Sequence, residues 1–270
     1  MGAWLRRNLV VIVGLLVMAY IMVPNLVVTV FSFNKPNGRY NYEWNQFSLD
    51  AWLNPCASAG LCEALGLSLW VAVISAGVST VIGTMAAFAL GRYRFRGRSA
   101  TNLLVFFPMA TPEVVMGSSL LTLFIAMGLP SGQVTILIAH ILFTLSFVVT
   151  TVKARVASLD PALEQAAADL YATPAQAFWK VTFPLVAPGI AAGALLAFAL
   201  SFDDYIVTNF NAGASTVTFP MYVWGAAQRG TPVQINVIGT VMFFGALAIV
   251  GFGQLVGARV RLGTRRKEAP

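Results

Sequence analysis

The sequence predicts an all-α membrane protein with about six transmembrane helices. Three observations carry this. Apolar residues make up 58% of the 270 positions and charged residues only 10%, where a soluble domain carries about 25% charge. The apolar residues fall into long runs near 8–33, 66–91, 102–127, 134–152, 184–210 and 233–256. The basic residues collect between alternate runs. Each run is long enough to cross a hydrocarbon core of roughly 30 Å at about 1.5 Å per helical residue, and tilt absorbs the excess. Strict alternation, which a barrel requires, is absent from these runs. Six of them leave too little polar sequence to coat a soluble fold.

Charge then orders the elements. Arg6 and Arg7 precede the first run; Arg92, Arg94, Arg96 and Arg98 separate the second and third. Lys153, Arg155 and Lys180 separate the fourth and fifth, and Arg259, Arg261, Arg265, Arg266 and Lys267 follow the sixth. With six crossings all of these lie on one side, and only Lys35, Arg39 and Arg229 on the other. The positive-inside rule places both termini in the cytoplasm and favours an even number of spans. The net charge of +7 is therefore read as topology and attraction to anionic lipid, not as nucleic-acid binding. The first run is too long for a signal-peptide core and is read as an uncleaved helix.

Between the first two runs, residues 34–65 form an external loop with Tyr40, Tyr42, Trp44, Phe47 and Trp52. These aromatics serve as simple interfacial anchors, or form a girdle or a small folded cap. The loop also holds both cysteines, Cys56 and Cys62. A disulfide between them is permitted outside the membrane and closes only a short loop. Two cysteines with no histidine nearby make a poor metal site. His140, the one histidine, lies inside the fourth run and is read as a packed or hydrogen-bonded helix residue.

The longest cytoplasmic connection, 153–183, carries the most information. Asp160 or Ser158 is placed to cap a helix that has Pro161 in its first turn. Residues 162–172 are alanine-rich and helix-forming. Thr173 and Pro174 break them and start a second short helix over 175–181, after which Pro184 and Pro188 lead into the fifth span. Two helices outside the membrane need a surface, either the protein's own bundle or a cytoplasmic partner.

The stretch Glu164, Gln165, Ala166, Ala167, Ala168, Asp169, Leu170, Tyr171 and Ala172, followed by Phe178, Val181, Pro184, Pro188 and Ile190, resembles the EAA loop of binding-protein-dependent ABC importer permeases. The resemblance extends over the chain. Pro108–Gly117, Leu196–Val207, Thr218–Trp224 and Pro232–Val237 make it similar to the second permeases of the spermidine/putrescine importer group. It implies a type I ABC importer permease architecture (MetI-like) in a bacterial inner membrane. It further implies a second homologous permease, two ATPase subunits and an external solute-binding protein as partners, with a polyamine as the substrate. No cofactor is implied in this chain; ATP and Mg would belong to the ATPase subunits. Glu164, Ala166, Ala167, Asp169, Tyr171 and Phe178 would couple to the ATPase. One departure stands out: Tyr171 occupies the position where the family pattern has glycine, which turns the backbone more easily. The expected organisation is residues 1–63 as first helix and external loop, 64–256 as a five-helix core containing the loop 153–183, and 257–270 as a basic tail.

Intramembrane carboxylates are costly unless they face protein or water. Glu113 follows Pro112 inside the third run, and Asp203 and Asp204 lie toward the outer part of the fifth. Carboxylates match the ammonium groups of a polyamine, and an aromatic such as Tyr205 or Phe202 suits its methylenes or its charge. The alternatives are internal pairing, or a place at the membrane surface. Adjacent helical residues point about 100° apart, so Asp203 and Asp204 need not face one path. No phosphate-binding loop followed by Lys-Ser or Lys-Thr occurs. A solitary secondary transporter should show inverted repeats or broken binding helices, which the sequence does not display convincingly, and scattered acids with one histidine form no catalytic pattern.

Overall fold

The computed structural model describes the backbone of residues 2–267 and the side chains of residues 8–249. The side chains of Arg6, Arg7 and the basic residues after 256, and so the expected tail, lie outside the described residues. The chain is helical throughout: α1 (Gly2–Phe31), α2 (Asp50–Leu53), α3 (Leu61–Arg92), α4 (Arg98–Ala110), α5 (Glu113–Ala126), α6 (Gln133–Ala157), α7 (Ala162–Asp169), α8 (Pro174–Ala177), a π turn (Phe178–Thr182), α9 (Phe183–Asp203), α10 (Ile206–Asn211), α11 (Phe219–Arg229) and α12 (Val233–Lys267). Among the described residues, extended pairing is limited to an isolated bridge between Asn34 and Phe47.

Four helical stretches are long and apolar enough to cross a membrane: Asn8–Phe31, Leu61–Arg92, Gln133–Ala157 and Pro174–Asp203. The described part of α12 adds a shorter apolar stretch, Val233–Ile249. The expected continuous helix over 102–127 is not formed. It is two helices, α4 and α5, bent by 109°. The cause is local. Pro112 has no N–H to donate and forces its predecessor out of the helical region, and Thr111 is extended at ψ 131°. A second difference lies before the fifth span. The expected separate helix over 175–181 instead runs through the π turn into α9. There the Phe183 N–H reaches back to the Phe178 carbonyl. The wider turn falls immediately before Pro184, whose ring would press on the carbonyl one α-turn earlier.

The chain divides into two compact units, residues 1–62 with 223–270, and residues 63–222. In the first, α12 packs on α1. Most apolar side chains of α1 are exposed, Val10 at 82% and Leu16 at 65%, as a lipid-facing helix requires. The 34–65 loop is folded rather than merely anchored. Phe33 stacks on Phe47 at 5.9 Å and on Trp52 at 5.2 Å between centroids. The Asn34 amide donates to Asn41 Oδ1 and to the Glu43 carbonyl, both at 2.7 Å. Lys35 bonds Asp50 at 3.1 Å; this bond, with that to Ser48, holds the Asp50 carboxyl below its usual range. A depressed carboxyl stabilises above its unfolded pKa, and the contribution is lost as pH falls through the folded value.

Cys56 and Cys62 form a disulfide with their Cα atoms 5.4 Å apart. Closing so short a loop is worth about 2 kcal/mol. Cys56→Ser is therefore expected to lower the thermal stability of this loop by that order, read by melting with and without reductant; a melt insensitive to both would refute it.

The second unit is built on α3, α6 and α9. Ala87, Leu90, Val148, Val152, Val156, Val186 and Ala197 are buried together. Glycines allow the close approach: a Cβ at Gly83 would lie 2.7 Å from Val148 Cγ1, and one at Gly91 would lie 2.9 Å from Val156 Cγ1. Close packing through small residues replaces the hydrophobic drive that lipid cannot supply.

Candidate functional site

Two clusters in the second unit contain the candidate residues. The first is the segment 158–183. Asp160 Oδ1 accepts from the Ala162 N–H at 2.9 Å and so caps α7. The far end of α7 closes as a Schellman motif: the Ala172 N–H donates to the Ala167 carbonyl at 3.1 Å and the Tyr171 N–H to the Ala168 carbonyl at 2.9 Å. That motif needs a left-handed residue at its C′ position, usually glycine. Here it is Tyr171, with φ +59°. The turn is thus made by a tyrosine, at the steric cost of a side chain in the left-handed region. Tyr171→Gly is expected to stabilise this turn by about 1 kcal/mol, seen as slower proteolysis of the loop; an unchanged or faster cut would count against strain at this position. After it, Thr173 and Gln176 cap α8 reciprocally at 3.0 and 3.3 Å, with Pro174 in the first turn.

α7 has two faces. Inward, Ala167 is buried, and Glu164 accepts from Arg92 Nη1 at 3.2 Å and from the Thr182 hydroxyl at 2.6 Å. Arg92 Nη2 also lies 3.1 Å from Glu164 Oε1. Phe178 packs edge-on against Phe88 at 5.5 Å and touches Trp179 and Phe183. Outward, Leu163, Ala166 and Leu170 share one helical face, and Asp169 and Tyr171 are also exposed. Of the six residues expected to couple to a partner, Glu164, Ala167 and Phe178 therefore hold the segment to its own bundle, while Ala166, Asp169 and Tyr171 face out.

The second cluster surrounds the adjacent aspartates. α9 ends at Asp203, and Asp204 turns extended at ψ 124°. Asp203 is exposed and Asp204 is buried. The Asp204 carboxylate accepts from the Val207 N–H at 3.2 Å, the Thr208 N–H at 2.7 Å and the Thr208 hydroxyl at 2.8 Å. It thereby satisfies the first free N–H groups of α10. His140 Nε2 is 2.9 Å from Thr208 Oγ1 and 3.4 Å from Asp204 Oδ2. On its other side, His140 Nδ1 meets Ser201 Oγ at 2.7 Å, and Ser201 meets Ser75 Oγ at 2.9 Å. Tyr205, next in the chain, is half-buried. Glu113 is the exposed first residue of α5. Its helix is tied to α10 by Asn211 Nδ2, which donates to the Gly117 carbonyl at 3.3 Å. A Cβ at Gly117 would come within 2.8 Å of Phe210.

From sequence Arg92 is read only as part of a topology-setting basic cluster, and Thr182, Ser201, Ser75 and Thr208 have no assigned role. A signal for part of this set exists. Ser75 with Ser79, and His140 with Thr144, are pairs one helical turn apart within apolar runs, and such pairs mark a polar seam. Ser79 Oγ and Thr144 Oγ1 are 2.8 Å apart in that seam.

The profile of the family described as "Binding-protein-dependent transport system inner membrane component" matches residues 79–266. The spermidine/putrescine transport system permease protein PotC of Haemophilus influenzae is 34% identical over 240 residues, covering 89% of this chain and 93% of the relative. The putrescine transport system permease protein PotI of Escherichia coli is 34% identical over 249 residues, covering 90% and 88%. PotC of Escherichia coli is 35% identical over 238 residues, covering 88% and 89%. Among solved structures, a bacterial ABC transporter involved in the import of the acidic polysaccharide alginate superposes with a TM-score of 0.64 at 18% identity, over 93% of this chain and 96% of that one. That likeness speaks to fold alone. With a family match over most of its length and a relative 34% identical over 89% of the chain, the chain belongs to the binding-protein-dependent transport system inner membrane components.

Proposed function

We propose that this chain is one of two permease subunits of an ATP-driven importer that moves spermidine or putrescine into the cytoplasm. The observation that carries this is the similarity, over 89% and 90% of the chain, to permeases named for those two solutes. The exposed carboxylates of Asp203 and Glu113 suit a substrate of spaced ammonium groups, and Tyr205, two residues after Asp203 in the chain, suits its methylenes. In this reading a second permease completes the path and an external binding protein delivers the solute. Two ATPase subunits, holding ATP and Mg, act on the outward face of α7. Both termini and residues 153–183 are cytoplasmic, in accordance with the distribution of Lys and Arg. Labelling of a single cysteine placed at position 176 by an impermeant reagent outside intact cells would refute that orientation.

The functional test is uptake of radiolabelled spermidine and putrescine by the complete complex in liposomes containing ATP. Saturable, ATP-dependent uptake is expected. A complex that hydrolyses ATP and moves another solute, but neither polyamine, would keep the permease role and overturn the substrate.

A further inference from the structure

Adjacent acids at the end of a membrane helix invite the reading that both receive the substrate. Their surroundings differ too much for that. Asp203 is exposed, whereas the Asp204 carboxylate is buried and already accepts three hydrogen bonds from the start of α10. His140 closes the enclosure from α6. The Thr208 hydroxyl gives its single hydrogen to Asp204 at 2.8 Å, so at 2.9 Å it accepts from His140 Nε2–H. This assigns the imidazole tautomer at Nε2 from the network itself. The other ring nitrogen is held by Ser201 at 2.7 Å, and Ser201 by Ser75 on α3 at 2.9 Å. One imidazole thus ties α3, α6, α9 and α10 together around the point where the fifth span breaks. No other charged side chain is bonded to the ring among the described residues.

We propose that His140 is a positioning residue for substrate capture: it locks Asp204 into the α9–α10 break, and the break presents Asp203 as the one carboxylate of the pair that receives an ammonium group. The inference rests on the acidic path proposed above and divides its labour. Asp204 shapes the site and Asp203 contacts the solute. A buried carboxylate that already accepts three hydrogen bonds has little left to offer a ligand, while an exposed one at a helix end keeps its capacity for charge-assisted bonds.

The test measures spermidine uptake kinetics and thermal melting of the complete reconstituted complex. Asp203→Asn is expected to raise KM by about tenfold, with maximal rate and melting nearly unchanged. His140→Leu is expected to lower melting and, in the complex that survives, to raise KM by roughly fivefold at a maximal rate within about twofold of the parent. His140→Gln, which restores a donor toward Thr208, is expected to recover KM. Asp204→Asn should shift KM to about the same extent as His140→Leu, and the double variant should be no worse than either single one, because both remove one lock. Multiplying KM effects in the double variant, or a His140→Leu complex with lowered abundance and unchanged KM, would overturn the positioning role. If instead Asp203→Asn leaves KM unchanged, the acidic path fails and with it the presentation of Asp203, whatever melting shows for His140 and Asp204.

Discussion

Ala167→Asp is expected to destroy the segment proposed to meet the ATPase, whereas Ala166→Asp, one residue earlier, is expected to leave the permease folded and to weaken only docking. Ala167 is the buried residue of α7, and its carbonyl accepts the Ala172 N–H that closes the Schellman turn. A carboxylate there loses water without gaining a cation, since Arg92 is already committed to Glu164. The cost is about 2–3 kcal/mol or more, enough to free α7 from the π turn. Ala166 sits among exposed residues with Leu163 and Leu170, so a charge there stays solvated until a partner arrives. Melting of the solubilised permease and capture of the ATPase subunit separate the two. Ala167→Asp should fail both, and Ala166→Asp only capture. Equal behaviour of the two would show that the faces of α7 are wrongly assigned.

That contrast marks how far the sequence could be read. Helix-forming composition and motif spacing located α7, but which alanine faces inward depends on where the bundle lies, and alanines are alike in apolarity. The spans show the same limit. Asn8–Phe31, Leu61–Arg92 and Gln133–Ala157 follow directly from hydropathy, because any long apolar run must form a helix to satisfy its backbone in lipid. The break at Thr111 and Pro112 lies within an equally apolar stretch, so hydropathy passes over it; only the restriction that proline places on its predecessor signals it. The π turn at Phe178–Thr182 is hidden for the converse reason. Pro184 looks like a boundary, and a widened turn before it lets the helix continue.

The acids were legible as candidates and not as roles. Their rarity in an apolar chain singles out Glu113, Asp203 and Asp204, and helical geometry separates the directions of the last two. It does not say which of them turns inward. Asp204 does so because α9 ends just before it and α10 begins two residues later, so its carboxylate meets free N–H groups. His140 gives a plain reading from sequence, a hydrogen-bonded helix residue, and its four-helix connection appears only when Ser75, Ser201 and Thr208 are brought together from distant positions.

Breaking the Arg92–Glu164 pair is expected to separate ATP hydrolysis from transport. Glu164 lies on α7, Arg92 ends α3, and Thr182 closes the π turn that feeds α9. One carboxylate therefore joins the outward-facing helix to two long helices of the bundle. A push on α7 reaches α3 and α9 through it. The Arg92 side chain is 21% exposed and that of Glu164 41%, so the pair lies between a surface bridge and a buried one and is worth about 1–2 kcal/mol. Removing it by Glu164→Ala leaves the guanidinium without its carboxylate, and the Arg92 Nε already has no protein partner. The fraction of complexes in which α7 moves rigidly with the bundle should then fall by roughly tenfold. Measured in the same liposomes, ATP hydrolysis should persist while polyamine moved per ATP drops by that order. Glu164→Gln, which keeps the acceptor for Thr182, should lose less. The exchange Arg92→Glu with Glu164→Arg should recover part of the ratio, since the pair is restored while Thr182 must turn its hydroxyl to accept rather than donate. Parallel loss of hydrolysis and uptake in Glu164→Ala would mean that the residue supports docking itself, and the strut from α7 to α3 and α9 would have to be abandoned.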